Sequence, residues 1–294
     1  MRCAAPPAAN RAPAVGGRAL SMRSCLILGA GRSGTSMLAG ALHAAGYHMG
    51  DELLAPTSSN PKGYFEDRTV NEINEDLLLD HAPLRPSGRQ GRLYPWRLPY
   101  GYRWLAVVDP RAQVRATPEL LERMRRVVSQ RPFCLKDPRF CYTLEAWRQV
   151  LGEAAFLCVF REPGRSASSV LRAGVDERDY LHDVRLSRRR AIRVWSSMYR
   201  HVLEKHRHLG QWDFVHYDQI LDGSALPRLE RLLDVRIDAG FADARLKRSS
   251  SHRRVPASAA ALYDELCELA SFAPPAPQRA RPDVPVIPSV KGTA

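Results

Sequence analysis

A chain of 294 residues, 45% of them hydrophobic, has enough apolar material for one large α/β core or two small ones, which excludes a wholly disordered protein. Its formal charge of +13 favours polyanionic partners: nucleic acid, anionic membrane, or a phosphorylated cofactor with a charged acceptor. No apolar run reaches the length of a bilayer span, and the six cysteines form no C-x-x-C or Cys/His ligand spacing, so neither a membrane span nor a zinc site is expected.

In chain order, residues 1–22 are rich in Ala, Pro and Arg without a continuous apolar core. They read as a disordered extension rather than a secretory signal, with Met22 as an alternative start. An apolar strand over 25–28 then enters the turn Gly29-Ala30-Gly31-Arg32-Ser33-Gly34-Thr35-Ser36, which opens a helix. The turn nearly spells the phosphate-binding pattern G-x-x-x-x-G-K-[ST], but Thr35 stands where the lysine belongs. A site for ATP or GTP cleavage would lack its principal cation. Arg32 instead lies inside the turn, which suits an anion held at a helix N-terminus without a bound Mg²⁺. The same residues also satisfy G-x-G-x-x-G, with Asp51 or Glu52 available as the ribose-binding acid of a dinucleotide site, so the loop alone leaves both readings open.

The turn Asn60-Pro61-Lys62-Gly63-Tyr64-Phe65-Glu66-Asp67 leads into a helix over 69–79. Residues 81–105 hold four prolines and interleave Tyr94, Trp96, Tyr100, Tyr102 and Trp104 with arginines, the composition of a lid or acceptor loop. Thr117 and Pro118 cap and start a helix over 118–130. Strands are expected at 133–136, 155–160 and 213–217, and helices at 143–151, 165–172, 187–206, 226–233 and 257–271. The arginines 188, 189, 190 and 193 read as a solvated helix face, and residues 273–294 as a disordered Pro-rich tail. Alternation of strands and helices predicts an α/β fold with a mostly parallel sheet. Cys25, Cys134 and Cys158 lie inside apolar strands, as buried thiols of a reducing, cytoplasmic compartment do.

Ligands of such sheets sit beyond the carboxyl ends of strands. Three strand ends there carry chemistry. Leu135-Lys136-Asp137-Pro138-Arg139 presents a lysine, a carboxylate and an arginine together. Phe160-Arg161-Glu162-Pro163 puts an arginine ahead of a helix bearing Ser169, able to hold a second phosphate at fixed distance from the first loop. Val215-His216-Tyr217-Asp218 is the third.

Arg32-Ser33-Gly34-Thr35-Ser36 resembles the 5′-phosphosulfate loop of the sulfotransferases that use 3′-phosphoadenosine 5′-phosphosulfate (PAPS), and Arg161 with Ser169 eight residues on resembles their 3′-phosphate motif. The segments 60–66 and 136–139, Trp195 with Tyr199, and the run 240–246 are similar to segments of bacterial members. The resemblance spans about Arg23 to Arg254, within a single domain expected over 23–272, and implies a three-layer P-loop-like sandwich. It implies PAPS as co-substrate, 3′,5′-adenosine bisphosphate as product, no metal, no nucleic acid, and a small-molecule or glycan acceptor. Carried over residue by residue, Gly31, Arg32, Ser33, Gly34, Thr35 and Ser36 would hold the phosphosulfate, and Arg161 and Ser169 the 3′-phosphate. Tyr217 and Arg248 would complete the donor site. Arg32, Glu66, Lys136 and Asp137 would be catalytic, with Glu66 first and Asp137 second as base. The chain departs from cytosolic members by Arg32 in place of lysine and by the missing histidine base after the central strand; the basic run 248–254 stands where their late glycine-rich loop would be. Two other readings are a P-loop kinase, using 105–109 as a strand whose Asp109 holds Mg²⁺, and a basic nucleic-acid-binding module or non-catalytic scaffold.

Overall fold

The computed structural model describes residues 22–58, 60–83, 98–173, 186–238, 240 and 254–274. Residues 1–21, the stretch 84–97 of the aromatic segment, the run 241–253 with Arg248, and the tail from 275 onward lie outside the described residues.

Continuous apolar runs make the strands. β1 (Cys25–Leu28), β2 (Cys134–Lys136) and β3 (Ala155–Phe160) are buried along their whole length, and β4 (Gln211–His216) is buried over its last three residues. Burial on both faces is what a parallel sheet demands. Among the described residues the four strands lie in the order β2-β1-β3-β4, all parallel. Alternate side chains sort onto opposite faces. Leu26, Leu28, Phe156, Cys158 and Phe160 face one layer, which contains α2 (Arg68–Leu77), α3 (Pro118–Val127), α4 (Phe140–Leu151), α6 (Arg188–His201) and α9 (Ala257–Leu269). Cys25, Ile27, Ala155, Leu157 and Val159 face α1 (Thr35–Ala44), α7 (Tyr217–Leu221) and α8 (Leu226–Leu233) on the other side. The result is the expected three-layer sandwich. The chain leaves β1 toward one edge of the sheet and β3 toward the other, so the loops after these strands part and open a crevice between them.

The structure moves several expected boundaries. β4 ends at His216 instead of 217, because the His216 ring caps α7: its Nδ1 accepts the Asp218 N–H at 3.1 Å while Gln219 Oε1 accepts the His216 N–H at 3.1 Å. Helix 187–206 divides into α6 and a π turn over Val202–His206. Residues 105–109 form no strand: Arg103–Leu105 is a single 3₁₀ turn followed by irregular backbone, and Asp109 caps its own turn by accepting the Arg111 N–H. The helix after β3, α5 (Pro163–Ala173), starts two residues earlier than expected.

Two histidines at the end of α6 make the fold acid-sensitive. His201 packs edge-on against the Tyr142 ring, and His206 lies in the π turn; burial holds them down to about 4 and about 3 respectively. Both are neutral in the fold, whereas an unfolded histidine protonates near 6.5. The stability they contribute is therefore complete above that pH and is lost as pH falls from 6.5 toward 3–4, at about 2 kcal/mol per histidine by pH 5. Urea unfolding at pH 7 and pH 5 measures it, and His206→Leu should remove about half of the difference. An unchanged difference in that variant would remove His206 from the account.

Candidate active site

The turn after β1 is held open by packing. Gly34 has φ 97°, and a Cβ there would lie 2.5 Å from the Tyr217 ring; a Cβ at Gly31 would lie 2.3 Å from the Trp104 ring. Glycine is the residue that both positions admit. Arg32 itself sits at φ 68°, a left-handed conformation unusual for a side-chain-bearing residue. The turn delivers α1 with Gly34 as an N-cap that has no side-chain hydrogen bond, and with no acidic residue in the first turn. The first N–H groups of α1 thus face outward with the positive end of the helix dipole. Ser33 takes no part in that open face. It is fully buried, its N–H donates to Ala30 O, and its hydroxyl lies 3.2 Å from the Tyr199 hydroxyl and 3.3 Å from Ser166 Oγ.

The two expected phosphate elements meet. Arg32 Nε donates to Ser169 Oγ on α5 at 3.2 Å. Arg161, leaving β3, lays its guanidinium 4.0 Å from the centroid of the Tyr217 ring, the same ring that covers Gly34. Arg161 is 5% exposed, and its buried Nε and Nη2 have no hydrogen-bond partner. Burial pulls its pKa below the usual guanidinium range. Trp195 Nε1 on α6 donates to the Arg161 carbonyl at 3.1 Å and fixes the backbone there. Glu162 turns away and accepts the Gly164 and Arg165 N–H groups, capping α5.

On the other side of the turn stands a buried carboxylate cluster. Asp67 caps α2 by accepting the Val70 N–H at 3.0 Å, and Phe65 adopts φ 54°; between them Glu66 is directed inward. Glu66 Oε1 is ion-paired to Lys136 Nζ at the end of β2. Lys136 Nζ also lies 3.4 Å from Ser36 Oγ, which accepts from Asn60 Nδ2 at 3.2 Å. Asn71 Nδ2 joins Glu66 Oε2 at 3.2 Å to Asp137 Oδ2 at 2.8 Å. Asp137 is fully buried, with Oδ1 accepting from the Arg139 N–H and guanidinium; burial raises its pKa while Arg139 pulls the other way. Arg139 continues to Glu75 at 2.7 Å and to Gly101 O, and Arg103 closes the chain on Glu75 at 2.9 Å and on Ala82 O. Both flanks of the stretch 84–97 are thereby tied to the cluster.

The crevice gathers Gly31, Arg32, Gly34, Thr35, Ser36, Arg161, Ser169 and Tyr217, with Glu66 and Lys136 reached through Ser36; Arg248 lies outside the described residues. Asp51 and Glu52 follow no strand, and Glu52 pairs with Arg68, so the ribose acid of a dinucleotide site is absent from that position. Sequence reasoning missed Asn71 and the Glu75–Arg103 clamp. The available signal was Asn74 and Glu75 inside the buried stripe of α2. Among the described residues no group of acidic, histidine or cysteine side chains is arranged to hold a metal, and no helix is long and apolar enough to cross a membrane.

A sequence profile described as the Sulfotransferase family matches residues 25–235. Solved structures similar to this chain include the sulfotransferase domain of the Synechococcus PCC 7002 olefin synthase, with 17% identity over 86% of this chain and 95% of that one, TM-score 0.46. The sulfotransferase domain from the curacin biosynthetic pathway shares 13% identity over 86% and 99%, TM-score 0.47. Sulfotransferase STF9 from Mycobacterium avium shares 14% over 86% and 78%, TM-score 0.46. No curated protein matches the chain.

Proposed function

The chain belongs to the sulfotransferase family, and we propose that it moves a sulfuryl group from PAPS to a hydroxyl or amine of a small-molecule or glycan acceptor, without a bound metal. One observation carries the choice of donor: a buried guanidinium, Arg161, with two unpartnered donor atoms lies one aromatic ring away from an uncapped helix N-terminus. Two anion-binding points so joined fit a nucleotide with a phosphate at each end of its ribose. The open N–H groups of Thr35 and Ser36 would hold the 5′-phosphosulfate, and Arg161 with Ser169 the 3′-phosphate.

Transfer forms an acceptor O–S or N–S bond as the sulfur–oxygen bond to the 5′-phosphate breaks, leaving 3′,5′-adenosine bisphosphate. Glu66 takes the proton from the attacking group. Lys136, between Glu66 and Ser36, neutralises charge on the passing sulfuryl oxygens, and Arg32 neutralises the departing phosphate. Asp137, enclosed by Arg139 and Asn71, takes a positioning role in this scheme rather than that of a base. The free thiols of Cys25 and Cys134, paired in register on adjacent strands, fit the reducing cytoplasm.

The kinase reading loses support from Thr35 at the lysine position and from the irregular backbone at 105–109. Calorimetry separates the two: tight binding of 3′,5′-adenosine bisphosphate without metal supports the sulfotransferase, whereas preference for ATP with Mg²⁺ defeats it. Incubation with ³⁵S-PAPS and fractionated metabolites should label an acceptor, and Arg32→Ala should slow labelling by roughly 10²–10³-fold. Labelling at the wild-type rate in that variant would exclude Arg32 from the reaction.

A further inference from the structure

Beyond Arg161 and Ser169, the crevice holds another cation whose position in the fold has no structural explanation. Arg165 lies on the first turn of α5, four residues after Arg161, and is half-buried. Its backbone N–H is taken by Glu162 Oε2 at 2.6 Å, but among the described residues its guanidinium has neither a hydrogen bond nor an ion pair. The positive charge of Arg165 reaches the Arg161 guanidinium and the Tyr217 phenol, and Arg32 adds to it at the phenol. Arg172, two helical turns further along α5 and exposed, bears on Arg161 as well, and Asp218 is the carboxylate that acts on both Arg161 and Tyr217. Arg161 and Arg165 thus lie close together at the edge of the crevice, with Asp218 as the carboxylate that bears on Arg161 and with Glu162 engaged by main-chain N–H groups. A buried cation with unsatisfied donors beside further cations is unfavourable by itself and becomes favourable when a doubly charged anion enters between them.

We infer that Arg165 is a specificity-determining residue that joins Arg161 and Ser169 in gripping the 3′-phosphate, so that the crevice selects 3′-phosphorylated adenosine nucleotides over those with a free 3′-hydroxyl. The inference rests on the sulfotransferase reading of the site. Its geometric basis is the unpartnered Arg161 side chain, the Arg32–Ser169 contact beside it, and Arg165 at the adjoining helix turn. Removal of the Arg165 guanidinium breaks no hydrogen bond or ion pair among the described residues, since Glu162 caps α5 through main-chain groups alone.

Calorimetry with two probes tests it: 3′,5′-adenosine bisphosphate and adenosine 5′-monophosphate, each against wild type, Arg165→Gln, Arg165→Lys and, as a control for overall charge, the exposed Arg189→Gln. Arg165→Gln should weaken the bisphosphate roughly 10- to 30-fold and leave the monophosphate unchanged. Arg165→Lys should recover part of the loss, and Arg189→Gln should alter neither probe. If wild type binds both probes equally, the PAPS reading itself fails, and this inference with it. If wild type discriminates and Arg165→Gln discriminates equally well, the reading stands and the inference alone is overturned. Equal weakening of both probes, or the same loss in Arg189→Gln, also overturns it, since either outcome reports bulk charge.

Discussion

Arg161→Met is expected to weaken 3′,5′-adenosine bisphosphate binding by roughly 10²–10³-fold while the thermal midpoint of the ligand-free protein stays within a few degrees of wild type. The two halves of the expectation come from the same atoms. Nε and Nη2 of Arg161 are buried without partners, which costs the empty fold about 1–3 kcal/mol. Contact with the Tyr217 face returns on the order of 1–2 kcal/mol, so a methionine of similar length loses little. Only the bound state makes full use of the guanidinium. Calorimetry and a thermal melt on one preparation measure both. A sharp fall in the melting point with unchanged affinity would make Arg161 a structural residue and remove the second anion site.

Glu66→Gln should lower the rate of ³⁵S transfer by roughly 10²–10⁴-fold with bisphosphate affinity near wild type. Glutamine preserves an oxygen for Lys136 but cannot take a proton from the acceptor. A second signature separates loss of a base from loss of packing: Glu66→Asp keeps the charge and should retain measurable activity on the acceptor that wild type labels. Stability will also fall, because Lys136 is left as a buried cation without its counter-charge; breaking such a pair typically costs about 3–5 kcal/mol, so assays belong well below the variant's melting point. Transfer by Glu66→Gln within about threefold of wild type would reassign the proton to another group.

The layers of the fold were legible because they rest on local signals. The apolar run of β3 and the helix signal at Thr117-Pro118 lie within a few residues, and the structure returns β1, β3 and α8 at the expected boundaries. Where a side chain broke the local rule, reading failed. His216 is an uncommon helix cap, so α7 went unseen and β4 was extended by one residue. The turns expected to hold phosphate are local in the same sense, each one turn at one strand end, and the structure brings Arg32 and Ser169 of the two into contact. Of the carboxylate cluster, Glu66, Lys136 and Asp137 were expected, but their connections were not. The cluster joins Ser36, Asn60, Glu66, Asn71, Lys136 and Asp137 from separate elements, and no spacing along the chain announces that Asn71 bridges two carboxylates. Ser33 shows the converse limit. Its place in the motif suggested a phosphate ligand, while its side chain is spent on Tyr199 and Ser166.

On the proposed reading, a single phenol oxygen sets how the crevice receives its nucleotide. The Tyr199 hydroxyl donates to Val159 O at 2.8 Å, accepts the Ala30 N–H at 3.1 Å and touches Ser33, which ties the glycine-rich turn to the neighbouring strand from beneath. The turn is thus braced by hydrogen bonds that the protein supplies by itself. For the proposed donor, association should therefore lose little chain freedom, with encounter set by diffusion and charge steering instead of by a slow rearrangement. Tyr199→Phe keeps the ring and frees the turn, which converts a stiff receptor into one that must be ordered by its own ligand.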